Sequence, residues 1–259
     1  MSRMHVSRMH GTKELWLDGL RSEGPAFAAV AMAADPAVPV PSCPPWSMGD
    51  LIHHLGSVYR FTEAHVGRGV TASPERALSS FVDEPRAEDL IGWWREQYEK
   101  ILSTLEMLDP DMPAWNWAPQ AKTVAFWHRR TAHETAVRRW DGQMATGHAE
   151  PVEEKLAADG VSEVLDTWLP AGRRSGPRDV TGLVALDATD VEQSWRVRLR
   201  DEGMALLDRD TIFDDSEPHP RAAAKGTASD LMLGLYGRVG LDVLEIEGDE
   251  HLLEAVRVG

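Results

Sequence analysis

An α+β fold is predicted for this chain of 259 residues, with a four-helix bundle in the N-terminal half and a smaller α/β unit after it. The prediction depends on a change in hydrophobic period. Apolar residues recur every three or four positions in the first half, as in amphipathic helices, and alternate in part of the second, as in half-buried strands. A chain of this length also favours two packed units, at residues 12–150 and 151–259.

Four helices are predicted in the first half, because apolar residues there repeat with helical spacing. The third helix shows this spacing most clearly, and the Asp109-Pro110 pair ends it. Proline and tryptophan are frequent in the loops between these segments. The predicted helices cover residues 13–34, 48–66, 90–108 and 124–146.

Capping residues and a proline affect the ends and the course of these helices. Ser47 and Asp50 match a capping box, which predicts the start of the second helix. Thr123 is expected to cap the fourth helix and Gly147 to end it. Pro25 is expected to break or kink the first helix, because proline has no amide proton to donate.

The C-terminal part is predicted to form a β-meander with flanking helices. Apolar residues alternate with arginines in 194–200, which indicates a strand with one wet face. Strands are also expected over 182–188 and 204–208, and a last strand precedes a short helix at the end of the chain. Helices are expected over 161–170 and after Thr227, where Thr-x-x-Asp forms a second capping box.

Composition argues against several classes of protein. The net charge of −15 argues against a nucleic-acid partner, since nucleic-acid binding needs a basic surface. No apolar run reaches eighteen residues, so no membrane partner is expected. The single cysteine, Cys43, excludes an internal disulfide and fits a reducing cytoplasm. The first ten residues lack the apolar region of a secretory signal and are interpreted as a frayed tail or an early start codon.

Glu134 and Arg138 form the most informative pair in the sequence. They are four residues apart on the predicted fourth helix and therefore project from one face. Glu-x-x-x-His would offer a carboxylate and an imidazole to one metal ion, whereas Glu-x-x-x-Arg offers a carboxylate and a fixed cation. His54 lies beside the apolar stripe of the second helix, and bundles build ligand sites from such facing side chains.

Each of these residues also has an ordinary structural explanation. His54 on an apolar stripe is typical of a hydrogen-bonded core histidine. Glu134 is typical of a solvated helix residue or of a partner for Arg130 or Arg138, both four positions away. Arg138 fits a solvated helix face equally well.

Three segments in order resemble the mycothiol-dependent maleylpyruvate isomerase family, which belongs to the DinB-like bundles. They are CPPWSMGDLIHHLG at 43–56, WHRRTAHETAVRRWD at 127–141 and GTASDLML at 226–233. The resemblance extends from about Glu14 to the end of the chain. It implies an N-terminal DinB-like four-helix bundle with a divalent metal, usually zinc, and an appended C-terminal α/β domain.

The resemblance places the family's metal ligands on His54 and Glu134. The third ligand, a histidine in the family, falls on Arg138, which stays protonated and cannot bind a metal. Catalytic zinc normally takes three protein ligands and one open position. The substitution therefore puts the metal in doubt.

Three alternatives account for the missing ligand. A neighbouring histidine, such as His133, His128 or His65, replaces it. Alternatively, Arg138 pairs with Glu134 and turns the site into an ion pair or a carboxylate-binding pocket. In the third alternative, water and substrate atoms complete a weak metal site.

The chemistry that the resemblance implies is thiol chemistry, with mycothiol as the low-molecular-weight thiol and a small molecule as the substrate. Thiolate addition to an activated double bond, rotation and loss give cis-trans isomerisation, and a stable thioether makes the protein a thiol S-transferase. Glu134 and Arg138 are the catalytic candidates, and Arg138 is expected to bind a substrate carboxylate or to lower the pKa of the thiol.

We therefore predict a cytoplasmic, mycothiol-dependent isomerase or S-transferase that acts on a small carboxylated electrophile. The alternative is a metal-free member of the family with a diverged reaction, or a non-catalytic protein that binds small molecules. The sequence does not indicate the oligomeric state.

Overall fold

The computed structural model describes residues 11–74, 85–200, 203–207 and 220–259. The helices in these ranges are α1 (Lys13–Ala33), α2 (Met48–Val66), α3 (Leu90–Met107), α4 (Val124–Thr146), α5 (Glu154–Glu163), α6 (Ala228–Leu235) and α7 (Glu250–Glu254). The strands are β1 (Gly182–Ala188), β2 (Ser194–Arg200), β3 (Gly203–Leu206), β4 (Arg221–Gly226) and β5 (Glu245–Gly248). The α+β class, with four long helices before a sheet, is confirmed.

Helix α1 continues through Pro25 as one element, so the predicted break is wrong. Tertiary contacts from α3 support this part of the helix. The Tyr98 ring lies where a side chain on Gly24 would project, and the Tyr98 hydroxyl donates a hydrogen bond of 3.1 Å to the carbonyl oxygen of Leu20. Packing against α3 therefore outweighs the hydrogen bond that proline removes.

The start of α2 matches the prediction, and the start of α4 differs in its cap. Ser47 and Asp50 form the complete capping box. Thr123, in contrast, makes no side-chain capping hydrogen bond. The amides of Val124 and Ala125 donate hydrogen bonds of 2.9 Å to carbonyl oxygens of the preceding loop. These bonds satisfy the first amides of the helix in place of a capping side chain.

Helix α4 is the central element of the molecule. It packs against α1, α2 and α5, and most of its residues are buried, including several charged ones. Gly147 ends it in the left-handed conformation at φ 79°, as the sequence predicts. Because α4 is enclosed on several sides, its charged side chains need partners inside the protein.

Helix α5 begins earlier than the predicted segment 161–170. It starts at Glu154 and continues after Glu163 as a π-helical turn over Val164–Trp168. Asp159 and Glu163 are buried, which obscures the helical pattern in the sequence. Arginines of α4 pair with both acids, so their burial is compensated.

The sheet has the order β3-β2-β1-β4-β5, and β1 pairs with β4 in parallel while the other pairs are antiparallel. The predicted alternation in β2 is confirmed, since Trp195, Val197 and Leu199 are buried. Strand β3 ends at Leu206, before the predicted end at residue 208, which lies outside the described residues, as do 1–10 and 201–202. The described helices contain none that is long and apolar enough to cross a membrane.

Candidate functional site

A cavity of about 260 Å³ opens between α2, α4 and the segment that follows the π-helical turn. Its walls combine aromatic rings with charged side chains from both halves of the described chain. The residues that line it are His54, Val58, Phe61, Thr62, Trp117, Trp127, Arg130, Thr131, Glu134, Arg138, Trp168 and Arg173. The three sequence-predicted site residues, His54, Glu134 and Arg138, thus lie in one cavity, although their catalytic role stays a prediction.

Glu134 lies at the centre of the polar groups in this cavity. Its Oε1 atom is 3.1 Å from Nε2 of His54 and 2.9 Å from Nε of Arg138. Its Oε2 atom accepts a hydrogen bond of 2.8 Å from Nη2 of Arg130. Both carboxylate oxygens are therefore occupied by nitrogen donors of the protein.

Opposing effects act on the pKa of Glu134. Burial by itself would raise this pKa, because a low-dielectric environment disfavours the charged form. The charge of Arg138, the hydrogen bond from His54 and the charge of Arg130 outweigh burial and hold the pKa of Glu134 well below its ordinary value. Glu134 is consequently an ionised acceptor at neutral pH and does not serve as an acid.

Arg138 is held by a second acid as well as by Glu134. Its Nη1 atom donates to Oδ2 of Asp141 at 2.9 Å, and its guanidinium lies 5.1 Å from the centre of the Trp46 ring. Asp141 also accepts a hydrogen bond of 3.0 Å from Nε of Arg238, which follows α6. Asp141 thus braces Arg138 and connects the bundle to the C-terminal unit.

Cys43 lies beside this ion pair but is not an activated thiol. Its Sγ atom donates to Oδ2 of Asp141 at 3.2 Å. Burial raises the pKa of the Cys43 thiol, the charge of Asp141 adds to that effect, and Arg238 and Arg138 oppose it without reversing it. A thiol with a raised pKa carries little nucleophilic thiolate at neutral pH.

Arg130 connects the cavity to α5 and α6. It forms an ion pair with Glu163 and donates a hydrogen bond of 3.0 Å to the hydroxyl oxygen of Tyr236. Tyr236 in turn donates to Oε2 of Glu163 at 2.6 Å. Burial raises the pKa of Tyr236 far above its ordinary value, with Arg130 acting in the opposite direction, so the hydroxyl keeps its proton.

His54 lines the cavity and contacts Glu134 through one of its two ring nitrogens. Its Nε2 atom faces the ionised Glu134, so this nitrogen carries a hydrogen and donates it to the carboxylate. Nδ1 has no hydrogen-bond partner in the described part of the chain, and the side chain is 32% exposed. His53, one residue earlier, stacks on Trp93 instead.

The residues present do not fit the metal that the sequence resemblance implies. Among residues 11–74, 85–200, 203–207 and 220–259, no group of three His, Cys, Asp or Glu side chains is placed to hold an ion. Arg138, at the position of the third ligand, donates to the Glu134 oxygen that also faces His54. A guanidinium there repels a cation and blocks the carboxylate.

The histidines that were considered as replacement ligands are engaged elsewhere. Nε2 of His133 lies 2.8 Å from Asp159, on the side of α4 that faces α5. His128 contacts the carbonyl oxygen of Leu105 at 2.8 Å, and His65 contacts that of Phe61 at 2.6 Å. The ion-pair alternative from the sequence agrees best with these contacts.

Two parts of the site were not predicted from the sequence. Arg130 was considered as a partner of Glu134 but not as a cavity residue, although its i, i+4 spacing is a signal that points to Glu134. Trp168 and Arg173 were not considered, because no local pattern connects them with α4. The π-helical turn, which ends at Trp168, and the chain after it bring these two residues to the cavity.

Comparisons with known proteins agree with this architecture. Residues 17–143 match the family model described as "Mycothiol maleylpyruvate isomerase N-terminal domain", and residues 155–255 match the "MDMPI C-terminal domain". No curated protein sequence matches significantly. A crystal structure of the mycothiol-dependent maleylpyruvate isomerase is similar, with a TM-score of 0.59, 12% identity and coverage of 95% of this chain and 96% of that chain. A histidine-to-alanine mutant of that enzyme matches with the same TM-score and coverage at 11% identity.

Proposed function

Because this chain belongs to the mycothiol maleylpyruvate isomerase family, we propose that it is a thiol-dependent enzyme that works without a metal. It uses mycothiol in the cytoplasm and either isomerises a small carboxylated electrophile or transfers the thiol to it. The observation that carries the proposal is the His54 imidazole, which is oriented by Glu134 and has an unbonded Nδ1 in a cavity that also contains Arg138.

His54 takes the role of general base. Glu134 accepts the Nε2 hydrogen of His54, which leaves Nδ1 to take the proton of a thiol and stabilises the imidazolium that forms. The same division of roles between a carboxylate, an imidazole and a nucleophile occurs in other enzymes. Glu134 is suited to it because its pKa is well below the ordinary value, so it stays ionised.

Arg138 stabilises the negative charge that develops on the electrophile during the reaction. Its Nε and Nη1 atoms are bonded to Glu134 and Asp141, whereas its Nη2 atom has no hydrogen-bond partner among the described residues. We expect Nη2 to donate to the electrophile oxygen on which negative charge develops. A donor held in place before the reaction needs no reorganisation during it, which is the usual basis of such stabilisation.

The bound thiol supplies a sulfur nucleophile for an activated double bond. His54 holds the thiol proton while the carbon–sulfur bond forms, and Arg138 stabilises the electron pair that moves to the electrophile oxygen. For isomerisation, the electron pair returns after rotation, the carbon–sulfur bond breaks, and His54 gives the proton back to sulfur. For S-transfer, His54 gives the proton to carbon, and the carbon–sulfur bond remains.

One observation favours a second candidate, a non-catalytic protein that binds small molecules. The acids of the site are all engaged, since Glu134, Asp141 and Glu163 each contact at least one arginine. A site whose charged side chains are all paired stabilises the fold, and this role does not require that the protein catalyse a reaction. Binding of a carboxylate without any thiol-dependent reaction would support this candidate.

Turnover with and without mycothiol tests the proposal. Maleylpyruvate is the substrate for isomerisation, and acrylate, an unsaturated carboxylate that cannot isomerise, is the probe for S-transfer, both with and without a chelator. We expect thiol-dependent turnover that the chelator leaves unchanged and that His54→Gln reduces by roughly a hundredfold or more, the usual contribution of a general base.

His53→Gln is the matched control, because His53 is adjacent to His54 but faces Trp93. Equal losses in both variants would argue against His54 as the base. Loss of turnover in the chelator would show that a metal takes part. Absence of turnover with every electrophile, together with carboxylate binding, would favour the second candidate.

A further inference from the structure

Arg173 lies at the rim of the cavity and has no acidic partner in the described part of the chain. We propose that Arg173 is the group that docks a carboxylate of the substrate and makes the site selective for anionic electrophiles. This inference rests on the proposed function and adds a specificity-determining residue to it.

The three arginines of the cavity differ in their partners. Arg130 is paired with Glu134 and Glu163, and Arg138 is paired with Glu134 and Asp141. Arg173 instead contacts two tryptophan rings, with its guanidinium 5.1 Å from the centre of Trp117 and 6.0 Å from that of Trp168. Arg173 is therefore the arginine of this cavity that has no carboxylate partner among the described residues, and its charge is available to an anion.

The backbone fixes the position of Arg173. Gly172 adopts a left-handed conformation at φ 75° and ends the helical segment. The Gly172 amide donates to the carbonyl oxygen of Leu169 at 2.9 Å, and the Arg173 amide donates to that of Trp168 at 3.0 Å. This pair of hydrogen bonds is a Schellman motif, which sets the direction of the chain at Arg173.

The tryptophan contacts restrict the side chain without using its donors. A cation–π contact engages the charge of a guanidinium, whereas its N–H groups remain available for hydrogen bonds. An exposed arginine ordinarily loses side-chain entropy when it binds a ligand, and contact with Trp117 and Trp168 reduces that loss. Arg173 is thus prepared for the two-point contact that arginine makes with a carboxylate.

The position of Arg173 in the cavity makes its contact with a carboxylate selective for anionic electrophiles. Arg173 is exposed, while His54 and Arg138, which line the same cavity, are partly buried. A carboxylate at Arg173 would therefore hold a small electrophile in the cavity that contains these two residues. A neutral molecule of the same shape forgoes the ion pair, which corresponds to about a tenfold weaker affinity or more.

Direct binding of succinate to the full chain, measured by isothermal titration calorimetry without any thiol, tests the inference. Succinamide is the neutral probe of the same shape. We expect succinate to bind at millimolar concentrations or better and succinamide not to bind. Arg173→Gln should weaken succinate by about tenfold or more, and Arg173→Lys should retain part of the affinity, because it keeps the charge but not the planar donors.

Arg178→Gln is the control, since Arg178 is exposed in the same loop but does not line the cavity. Unchanged affinity in Arg173→Gln, equal losses in Arg173→Gln and Arg178→Gln, or no binding of succinate by the unaltered protein would each overturn the inference. The thermal midpoint of each variant separates loss of binding from loss of folding.

The experiment also separates this inference from the proposed thiol chemistry. Binding requires no turnover, so a protein that loses succinate affinity in Arg173→Gln supports the docking role even if no thiol-dependent reaction is found. Where turnover is found, Arg173→Gln should raise KM for an anionic electrophile and leave kcat nearly unchanged, because docking is lost and the reacting groups are kept. A fall in kcat alone would contradict a docking role.

Discussion

Replacing Glu134 by glutamine tests whether this carboxylate holds the site together. In the structure it contacts Arg138, Arg130 and His54 at 2.8–3.1 Å. A glutamine keeps one acceptor oxygen but carries no charge and places an amide nitrogen against a guanidinium, so the ion pairs with Arg130 and Arg138 are both lost and a donor faces a donor. Removing one partner of a buried ion pair lowers the free energy of unfolding by about 3 kcal/mol at the low end of the usual range.

Thermal unfolding at neutral pH measures this cost. For a chain of this size about 3 kcal/mol corresponds to a fall of roughly 6–12 °C in Tm. Glu63→Gln is the control, because Glu63 is an exposed glutamate on α2. We expect the control to leave the Tm nearly unchanged, since surface substitutions usually have small effects.

The pH dependence gives a sharper test of the same reasoning. The pKa of Glu134 is lowered from 4.5 in the folded protein, so its stabilisation is complete above the unfolded pKa and is lost as the pH falls through the folded pKa. The difference in Tm between the unaltered protein and Glu134→Gln should therefore be constant at neutral pH and narrow below about pH 4.5. A difference that is absent, or that does not narrow in acid, would refute the account of this ion-pair cluster.

Three further predictions follow from the same contacts. Arg138→His restores the Glu-x-x-x-His face beside Glu134 and should create or tighten a zinc site. Zinc titration measures this against the unaltered protein, and an unchanged zinc affinity would mean that the resemblance places the metal site wrongly. Tyr236→Phe removes the hydrogen bond to Glu163 and should lower stability by about 1–3 kcal/mol in chemical denaturation, whereas an unchanged midpoint would argue against that bond. Cys43→Ala should retain thiol-dependent turnover, and the Cys43 thiol should react slowly with iodoacetamide at neutral pH because its pKa is raised; fast alkylation or loss of turnover would contradict this.

Local interactions made much of the fold predictable. The capping box of Ser47 and Asp50, the left-handed Gly147 and the alternation in β2 each involve residues that are close in sequence. Such patterns therefore determine the start of α2, the end of α4 and the buried face of a strand. The break expected at Pro25 and the capping bond expected from the Thr123 side chain are both absent, and in both places contacts with residues further away in the chain replace the local ones.

The part of the candidate site that lies on the single helix α4 could be predicted from the sequence. Glu134 and Arg138 share a face of α4 because they are four residues apart, and the ion pair at 2.9 Å follows from that spacing. His54 came from the family resemblance and not from periodicity, which places it only beside an apolar stripe. Its 3.1 Å contact with Glu134 depends on how α2 packs against α4.

The sequence by itself thus determined the succession of helices and strands, the buried face of β2 and the shared face of Glu134 and Arg138, because these depend on backbone geometry over a few residues. Tertiary structure alone decided the parallel pairing of β1 with β4 and the partners of the central arginines. Arg130 meets Tyr236 across 106 positions, and Asp141 meets Arg238 across 97. No local pattern specifies such pairs, since the need to compensate buried charge says that a partner must exist but not where in the chain it lies.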